Sequence, residues 1–238
     1  MFMKISIIIP VYNEKKTIIK LLKKVQKLKG INKQIIVIDD GSTDGSSELI
    51  KTRFNETNVK LIFHKNNKGK GAAIRSALKY IHGDIVIIQD ADLEYDPNDY
   101  YKLLEPFKKP NVKVVYGSRV LKKKKYSIKK SFSVNFRVFG NHVLTIFSNF
   151  INQQNLTDAH TCYKLFNSKL FKNLQLTEND FAFCPEVTTK ISNLNLSIFE
   201  VPISYHGRGY DEGKKIGIND AFRVFSVILK YKFFKKFR

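Results

Sequence analysis

Cysteine and long apolar runs are both scarce in this sequence. The 238 residues include two cysteines, Cys162 and Cys184, which are too few for a disulfide scaffold and lack the spacing of metal ligands. We therefore expect free thiols in a reducing compartment. The longest stretch without Asp, Glu, Lys or Arg covers residues 138–157, and six of its members are Asn or Gln. A membrane-spanning helix needs about 20 predominantly apolar residues, so the sequence predicts no bilayer-spanning segment.

The N-terminus also lacks the features of a signal peptide. Only a few apolar residues precede Pro10, and no small-residue cleavage site follows them. We expect this segment to form the first strand of the fold.

Acidic residues are few relative to basic ones. The chain has 42 Lys and Arg against 21 Asp and Glu, a formal net charge of +21. Such an excess predicts an anionic partner, which could be a nucleic acid, a phospholipid surface or a phosphorylated substrate. Hydrophobic residues make up 43% of the chain and charged residues 26%, which is typical of a folded globular protein rather than a disordered one.

The first half of the chain alternates apolar β-branched runs with helical patterns. Strands are predicted over residues 5–9, 34–38, 59–64 and 84–89. Helices are predicted between them, and we expect Asn13 to cap the first and residues 46–54 and 71–81 to form the next two. Near-continuous apolar strands that alternate with helices predict a parallel sheet covered on both faces, and hence an α/β fold.

The second half has a different pattern. A basic loop at residues 122–130 precedes a helical pattern that extends to Ile151, and further strands and loops follow up to Tyr205. Residues 221–238 have the pattern of a basic amphipathic helix. We expect one domain over residues 3–220, with a first half at 3–119 and a second at 120–220, followed by this helix.

Polar turns follow the apolar strands. The strands are followed by the sequences PVYNE at residues 10–14, DDGSTDG at 39–45, QDADLE at 89–94 and YGSR at 116–119. Because the carboxyl ends of parallel strands meet at one edge of a sheet, these turns are expected to converge there and to bind a ligand.

The acidic turn is the most informative of these motifs. Alternate residues of an extended chain point to the same side, so Asp90, Asp92 and Glu94 would present three carboxylates together. Clustered carboxylates repel one another unless a cation lies among them. Mg²⁺ or Mn²⁺ would fit, since it also binds phosphate oxygens of a substrate. A solvated acidic loop is the alternative interpretation.

Two further turns could contact a nucleotide. Asp40 could accept hydrogen bonds from a ribose hydroxyl or a base N–H, while Asp44 or Thr43 could cap the next helix. Residues 68–71, Lys-Gly-Lys-Gly, precede a predicted helix. Their glycines allow a close backbone approach, and the lysines, Lys70 among them, offer charge to a phosphate.

In this order and spacing, the motifs at residues 10–14, 39–45, 68–71 and 90–94 resemble family 2 glycosyltransferases of the GT-A (Rossmann-like) fold. Later segments are similar to the polyprenyl (dolichyl) phosphate glucose and mannose synthases: GSR at 117–119, DAHTCYKLF at 158–166, PEVT at 185–188 and VPISY at 201–205. The resemblance covers about residues 3–220. It implies a mostly parallel central sheet with helices on both faces and an acceptor-side subregion.

The resemblance also implies an activity and a set of roles. It implies transfer of a hexose from a nucleotide sugar of the UDP-glucose or GDP-mannose class, with inversion at the anomeric carbon. Base and ribose would be contacted by Pro10, Tyr12, Glu14 and Asp40, and ribose or sugar hydroxyls by Asp90. Asp92 and Glu94 would bind the Mg²⁺ or Mn²⁺ that bridges the diphosphate.

On the acceptor side, a lipid phosphate is already ionised near neutral pH, so it needs cations rather than a strong base. The candidate cations are Arg119, Arg208, Lys214 and Lys215. Asp158 would act as general base for a hydroxyl acceptor; for a phosphate acceptor it would orient a sugar hydroxyl or Arg119. A turn without catalytic role is the alternative for Asp158.

A polyprenyl phosphate keeps its head group at the bilayer surface, so the enzyme is expected on the cytoplasmic face, attached peripherally. The basic loop at 122–130 and the basic, aromatic tail would allow this, since each cation near an anionic leaflet contributes about 1 kcal/mol. For the tail, a core-packing helix with a frayed charged end is the alternative.

Two other functions stay open at this point. The same fold could transfer a sugar to a hydroxyl of a glycan or lipid-linked sugar. A basic nucleic-acid-binding module would also explain the charge, although carboxylates at the strand ends would repel a phosphate backbone. We therefore expect no nucleic-acid partner.

Overall fold

The computed structural model describes residues 3–54, 59–121, 132–207 and 218–234, without the side chains of 132–139 and 218–220. Within these ranges seven strands form one sheet: β1 Lys4–Val11, β2 Asn32–Asp39, β3 Val59–Phe63, β4 Ile85–Ile88, β5 Val114–Ser118, β6 Lys164–Asn167 and β7 Phe199–Pro202. The helices are α1 Ile18–Lys27, α2 Ser46–Phe54, α3 Lys70–Ala77, α4 Tyr100–Leu104, α5 Phe132–Asn152, α6 Ser168–Asn173, α7 Phe183–Asn193 and α8 Ile218–Leu229.

The strands are ordered β3-β2-β1-β4-β6-β5-β7 across the sheet. Strands β3, β2, β1 and β4 are mutually parallel, as are β5 and β7. Strand β6 runs antiparallel to both of its neighbours, β4 and β5. The predicted α/β fold with a mostly parallel sheet is confirmed, and β6 joins its two parallel parts.

The central strands are apolar on both faces because helices cover both. On β1, Ile7 and Ile9 face a core formed with α1, α2 and α4, while Ile8 faces a second core with α3, α6 and α7. All three isoleucines are fully buried. Alternation of the two cores along one strand explains the unbroken run of isoleucine.

Helix α7 lies between the sheet and the outer helices α5 and α8, so it is buried on all sides. Its polar residues are therefore paired within the protein. Glu186 and Lys190 form an ion pair one turn apart at 2.7 Å, and the Glu186 carboxylate also accepts the backbone N–H groups of Thr177 and Glu178. This carboxylate is structural.

The prediction for the first helix cap is wrong, and the one for the second is supported only by a contact that precedes the helix. Asn13 lies outside α1, with a φ of 55°, and its side chain accepts the backbone N–H of Thr43 at 2.8 Å. Helix α1 begins after Thr17. Asp44 accepts the backbone N–H of Ser46 at 2.9 Å, a side-chain contact that stabilises the turn just before α2. Asn13 thus ties the end of β1 to the turn after β2.

The C-terminal segment is a packed helix. Helix α8 continues through a π-helical turn, Lys230–Phe234, and buries Val227, Ile228 and Tyr231. The basic loop at 122–130 and the tail residues 235–238 lie outside the described residues. Among the described helices, none is both long and apolar enough to cross a bilayer.

Candidate active site

The turns after β1 and β2 are bound to each other at the carboxyl edge of the sheet. The backbone N–H of Asn13 donates to Ser42 Oγ, and that of Glu14 donates to Ser46 Oγ, both at 2.9 Å. Pro10 is half-buried in β1, while the Tyr12 ring beyond it is 47% exposed. The structure thus brings the predicted Pro10, Tyr12 and Glu14 to one edge, with an aromatic ring open to solvent.

Asp40 differs from its predicted role. It is buried, and its carboxylate accepts the backbone N–H groups of Lys68 at 3.0 Å and Gly69 at 2.7 Å. His64 Nδ1 lies 2.5 Å from the same carboxylate. Both oxygens are used inside the protein, so the contacts of Asp40 are those of a residue that holds the 68–71 loop.

The neighbouring Asp39 was not singled out by the sequence. Its Oδ1 accepts from the backbone N–H of Ser42 at 3.0 Å and from Ser47 Oγ at 2.7 Å. Its Oδ2 is buried without a hydrogen-bond partner among the described residues. An unpaired buried carboxylate oxygen is costly unless a ligand completes it. Adjacent acidic residues in one turn gave no sequence signal as to which would remain unpaired.

Lys70 is paired at the site rather than free. Its ammonium group contacts the Asp90 carboxylate and lies 3.3 Å from Cys162 Sγ. Burial alone would lower the pKa of Lys70, but the charge of Asp90 outweighs it, so the pKa is raised well above its usual value. Lys70 therefore stays cationic beside the acidic turn, with a net charge near zero for the pair.

The loop that carries Lys70 is packed tightly against residues 178–180. A side chain at Gly71 would overlap the carbonyl oxygen of Glu178, and Gly69 has a φ of +94°. The backbone N–H of Ala72 donates to the Asn179 carbonyl at 3.1 Å. Glycine is required here because two stretches of backbone are in contact.

The acidic turn is not the extended segment that alternation predicted. Strand β4 ends at Ile88, and residues 91–94 form a bend in which Leu93 has a φ of 63°. The backbone N–H of Glu94 donates to Asp92 Oδ1 at 3.0 Å. No group of three His, Cys, Asp or Glu side chains that could hold a metal occurs among the described residues. The expectation of three carboxylates on one side is therefore wrong.

The carboxylates of the turn nevertheless suit a divalent cation. Burial, followed by the negative charges of Asp90 and Glu94, raises the pKa of Asp92 to about 7. Crowded carboxylates of this kind are relieved by a cation. Mg²⁺ typically takes one or two protein carboxylates and fills its remaining positions with phosphate oxygens and water. Asp92 and Glu94 fit that smaller donor set.

Arg119 and Asp158 form an ion pair in which Arg119 contacts both carboxylate oxygens. The Arg119 Nε donates to Asp158 Oδ2 at 2.7 Å and its Nη2 to Oδ1 at 2.8 Å, while its backbone N–H donates to Oδ2 at 3.1 Å. Asn141 Nδ2 on α5 lies 3.3 Å from Oδ1. Burial would raise the pKa of Asp158, but the hydrogen bonds and charge of Arg119 outweigh it and lower the pKa to about 2.

This geometry corrects the assignment of Asp158 as a possible general base. The side chain is fully buried, both oxygens are occupied by Arg119, and a carboxylate with so low a pKa is a weak base. The other predicted role, orientation of Arg119, is the one that the structure supports. Glu200 positions the same turn, since it accepts the backbone N–H groups of Thr157 at 2.7 Å and Asp158 at 3.0 Å.

Tyr205 connects the acidic turn with Arg119 and was not assigned a role from the sequence. Its hydroxyl donates to Glu94 Oε2 at 2.7 Å, and its ring centroid lies 5.2 Å from the Arg119 guanidinium carbon. The backbone N–H of His206 donates to the Glu94 carbonyl at 2.9 Å. The only available signal was that Tyr205 ends the VPISY segment. Arg208, Lys214 and Lys215 lie outside the described residues.

An exposed aromatic ring, an acidic turn and an arginine held by a carboxylate all lie at the carboxyl edge of the sheet. Residues 6–175 match the model described as glycosyl transferase family 2. The chain belongs to this family. Relatives that align with nearly the whole chain are named as transferases of hexosyl groups, and the chain is an enzyme of that class.

Several curated relatives act on dolichyl phosphate according to their names. A dolichyl-phosphate beta-glucosyltransferase of Trichomonas vaginalis is 26% identical, over 98% of this chain and 74% of that protein. The UDP-N-acetylglucosamine–dolichyl-phosphate N-acetylglucosaminyltransferase of Methanococcus voltae is 28% identical over 96% of both. A dolichol-phosphate mannosyltransferase of Pyrococcus furiosus is 35% identical, over 50% of this chain and 34% of that protein.

Among solved structures, glucosyl-3-phosphoglycerate synthase from Mycobacterium tuberculosis superposes with a TM-score of 0.72. The identity is 17%, and the match covers 98% of this chain and 80% of that one. That crystal structure contains Mn²⁺, UDP and phosphoglyceric acid. At this identity the similarity establishes the GT-A fold.

Proposed function

We propose that this enzyme transfers a hexose from a nucleotide sugar to a polyprenyl phosphate at the cytoplasmic face of a membrane, with inversion and with a divalent cation. The observation that carries the choice of acceptor is the Arg119–Asp158 pair. A hydroxyl nucleophile needs a base. Both Asp158 oxygens are bonded to Arg119, and the pKa of Asp158 is lowered to about 2, so Asp158 is a poor base. A phosphate nucleophile is already ionised and needs a cation held in place, which Arg119 supplies. The names of the dolichyl-phosphate relatives agree with this choice.

On the donor side, Tyr12 offers an exposed ring to the base, and Asp39 offers an unpaired oxygen to a base or ribose donor. Pro10 and Glu14 line the same edge. This assignment replaces Asp40 with its neighbour Asp39, because the Asp40 oxygens are occupied by the 68–71 loop.

At the diphosphate, Asp92 and Glu94 would hold Mg²⁺ or Mn²⁺, which neutralises negative charge on a departing diphosphate. Lys70 and Asp90 lie beside them as a neutral pair. A donor hydroxyl that hydrogen-bonds to Asp90 would compete with Lys70 for that carboxylate. The Lys70 ammonium group would then be available to the phosphates of the donor. Tyr205 contacts both Glu94 and Arg119. The cation site and the acceptor phosphate would therefore lie next to each other.

The test has a binding part and a transfer part. UDP-sugars and GDP-sugars are added with and without Mn²⁺, and the donor is expected to raise the melting temperature, since a ligand that binds the native state stabilises it. Radiolabelled sugar is then offered with polyprenyl phosphate, polyprenol or a free glycan. Incorporation into the phosphate alone is expected. Transfer to polyprenol or glycan with no transfer to the phosphate would refute the acceptor assignment.

A further inference from the structure

Helices α5 and α8, which pack against each other, expose large apolar side chains. Val143, Ile146 and Phe150 project from α5, and Phe222, Leu229 and Phe233 from α8 and its π-helical continuation. We call these six side chains the α5–α8 face. Phe150 is 81% exposed and Phe222 is 68% exposed. Clusters of exposed apolar groups of this kind mark surfaces that contact another molecule or a membrane.

The face follows from helical spacing. Its members lie at i, i+3 and i+7 on α5 and at i and i+7 on α8, so each set forms a stripe along its helix, and Phe233 lies on the π-helical turn that follows α8. The two helices contact each other through Phe147 and Phe225, whose ring centroids are 4.5 Å apart. Each of these rings is within one turn of a stripe. The stripes therefore flank one aromatic contact.

The exposed stripe of α8 is a fixed feature, because the other side of the helix is anchored. Tyr231 is buried and its hydroxyl donates to Glu178 at 2.8 Å. Arg223 and Lys230 both pair with Glu178, at 2.9 and 2.7 Å. These contacts fix the rotation of α8, so Phe222, Leu229 and Phe233 face outwards. Arg223 and Lys230 are used in these ion pairs. The apolar stripe, rather than these two cations, is therefore the part of α8 that would contact another molecule.

We propose that the α5–α8 face lies in the headgroup region of an anionic bilayer. Charge favours this occupant. The chain carries a formal +21, six lysines occur within residues 122–130 before α5, and three cations occur within 235–238 after the π-helical turn. An anionic leaflet attracts such a chain, whereas a second copy with the same charge repels it. Apolar side chains inserted beside basic ones are the usual composition of a helix at a membrane surface.

Helix α5 connects the membrane contact with the acceptor site, and this connection rests on the proposed lipid acceptor. Asn141 on α5 is in contact with Asp158, which holds Arg119, and Val143 follows two residues later. One helix thus carries both a contact to the acceptor-binding pair and a member of the face. A lipid phosphate emerging from the bilayer next to α5 would meet Arg119.

The chain has no tryptophan, so a single introduced tryptophan reports its own surroundings. Phe150→Trp and Phe222→Trp are mixed with vesicles of phosphatidylcholine and phosphatidylglycerol, with and without brominated lipid. A blue shift and quenching by bromine are expected for both. Tyr101→Trp is the control, because Tyr101 is an exposed aromatic on α4 outside the face. Absence of quenching for both face variants, or equal quenching in the control, would overturn the proposal.

A second variant separates this surface from the chemistry. Ile146→Ser with Phe150→Ser removes two exposed groups, so the melting temperature and its increase with donor should be unchanged. We expect vesicle affinity to fall at least about tenfold, and transfer to polyprenyl phosphate in vesicles to fall with it. Transfer to a short, water-soluble prenyl phosphate should be retained. Tyr101→Ser serves as the matched control.

The outcomes distinguish the two proposals. If the wild-type enzyme transfers sugar to the soluble prenyl phosphate but does not bind vesicles, the membrane role of the α5–α8 face is refuted and the proposed function is supported. Bromine quenching without any donor-induced stabilisation would keep the face and count against the function. A dimer seen by light scattering that dissociates in the serine double variant would assign the face to a second copy and overturn the bilayer proposal.

Discussion

Replacing Asp158 by asparagine tests the Arg119–Asp158 pair directly. The substitution keeps the shape of the side chain but removes its charge and one of the two acceptors that Arg119 uses. Removing one partner of a buried ion pair costs about 3–5 kcal/mol. Arg119 keeps 20% of its side chain exposed, so we expect a cost at or just below the lower end of that range, about 2–3 kcal/mol.

The pKa of Asp158 gives a consistent magnitude and a pH dependence. Its value is lowered from the ordinary 3.8 to about 2 in the folded state, which corresponds to about 2–3 kcal/mol of stability at neutral pH. Because the folded-state pKa is the lower one, this stability is present in full above about pH 4. It disappears as the pH falls through the folded-state value.

Urea unfolding of the wild type and Asp158→Asn at several pH values measures this. The variant is expected to be less stable at pH 7, and the difference should shrink below about pH 4. Equal stabilities at pH 7, or a difference independent of pH down to the acid limit, would refute the argument.

The same variant separates a positioning residue from a general base. If Asp158 only holds Arg119, Asp158→Asn should raise the KM for polyprenyl phosphate about tenfold or more while kcat falls less. The pH profile of kcat should keep its shape. A large loss of kcat with an unchanged acceptor KM would instead identify Asp158 as a catalytic base.

Three further predictions concern other parts of the site. Asp92→Asn should abolish turnover and leave the melting temperature within a few degrees of the wild type; retained activity would contradict its assignment to the cation. Tyr205→Phe loses the hydrogen bond to Glu94 and keeps the ring near Arg119, so calorimetry with UDP should show Mn²⁺ binding weakened several-fold while the acceptor KM is unchanged. Gly71→Ala should destabilise the fold by about 1–3 kcal/mol, because the methyl group overlaps backbone, whereas Gly140→Ala on α5 meets no atom within 4 Å and should be neutral or slightly stabilising in thermal unfolding.

The sequence was a good guide to the parallel part of the sheet. Strands β1, β2 and β4 appear as unbroken apolar runs because helices cover both of their faces. The polar turns after them meet at one edge for the geometric reason that the strands are parallel. Helix α2 has the predicted bounds, and the local contact between Asp44 and the backbone N–H of Ser46 marks its start.

Side-chain roles within the turns were harder to predict. The 68–71 loop, which is distant in sequence, decides that Asp40 rather than Asp39 has both oxygens hydrogen-bonded within the protein. The bend at residues 91–94 depends on Leu93 in a left-handed conformation that leucine rarely adopts. The closed state of Asp158 depends on Arg119, 39 residues away. Tertiary contacts decided each of these outcomes.

The place of β6 in the sheet has a consequence for how the chain folds as it is made. Residues 164–167 lie between β4 and β5, although they follow both in sequence. Until they leave the ribosome, β4 and β5 both lack the strand that pairs with them in the folded sheet, so β4 can present an open edge. Pairings between distant segments form slowly, and unpaired edges invite aggregation. We therefore expect fragments that stop before residue 167 to aggregate, because β6 is the strand that connects β4 with β5.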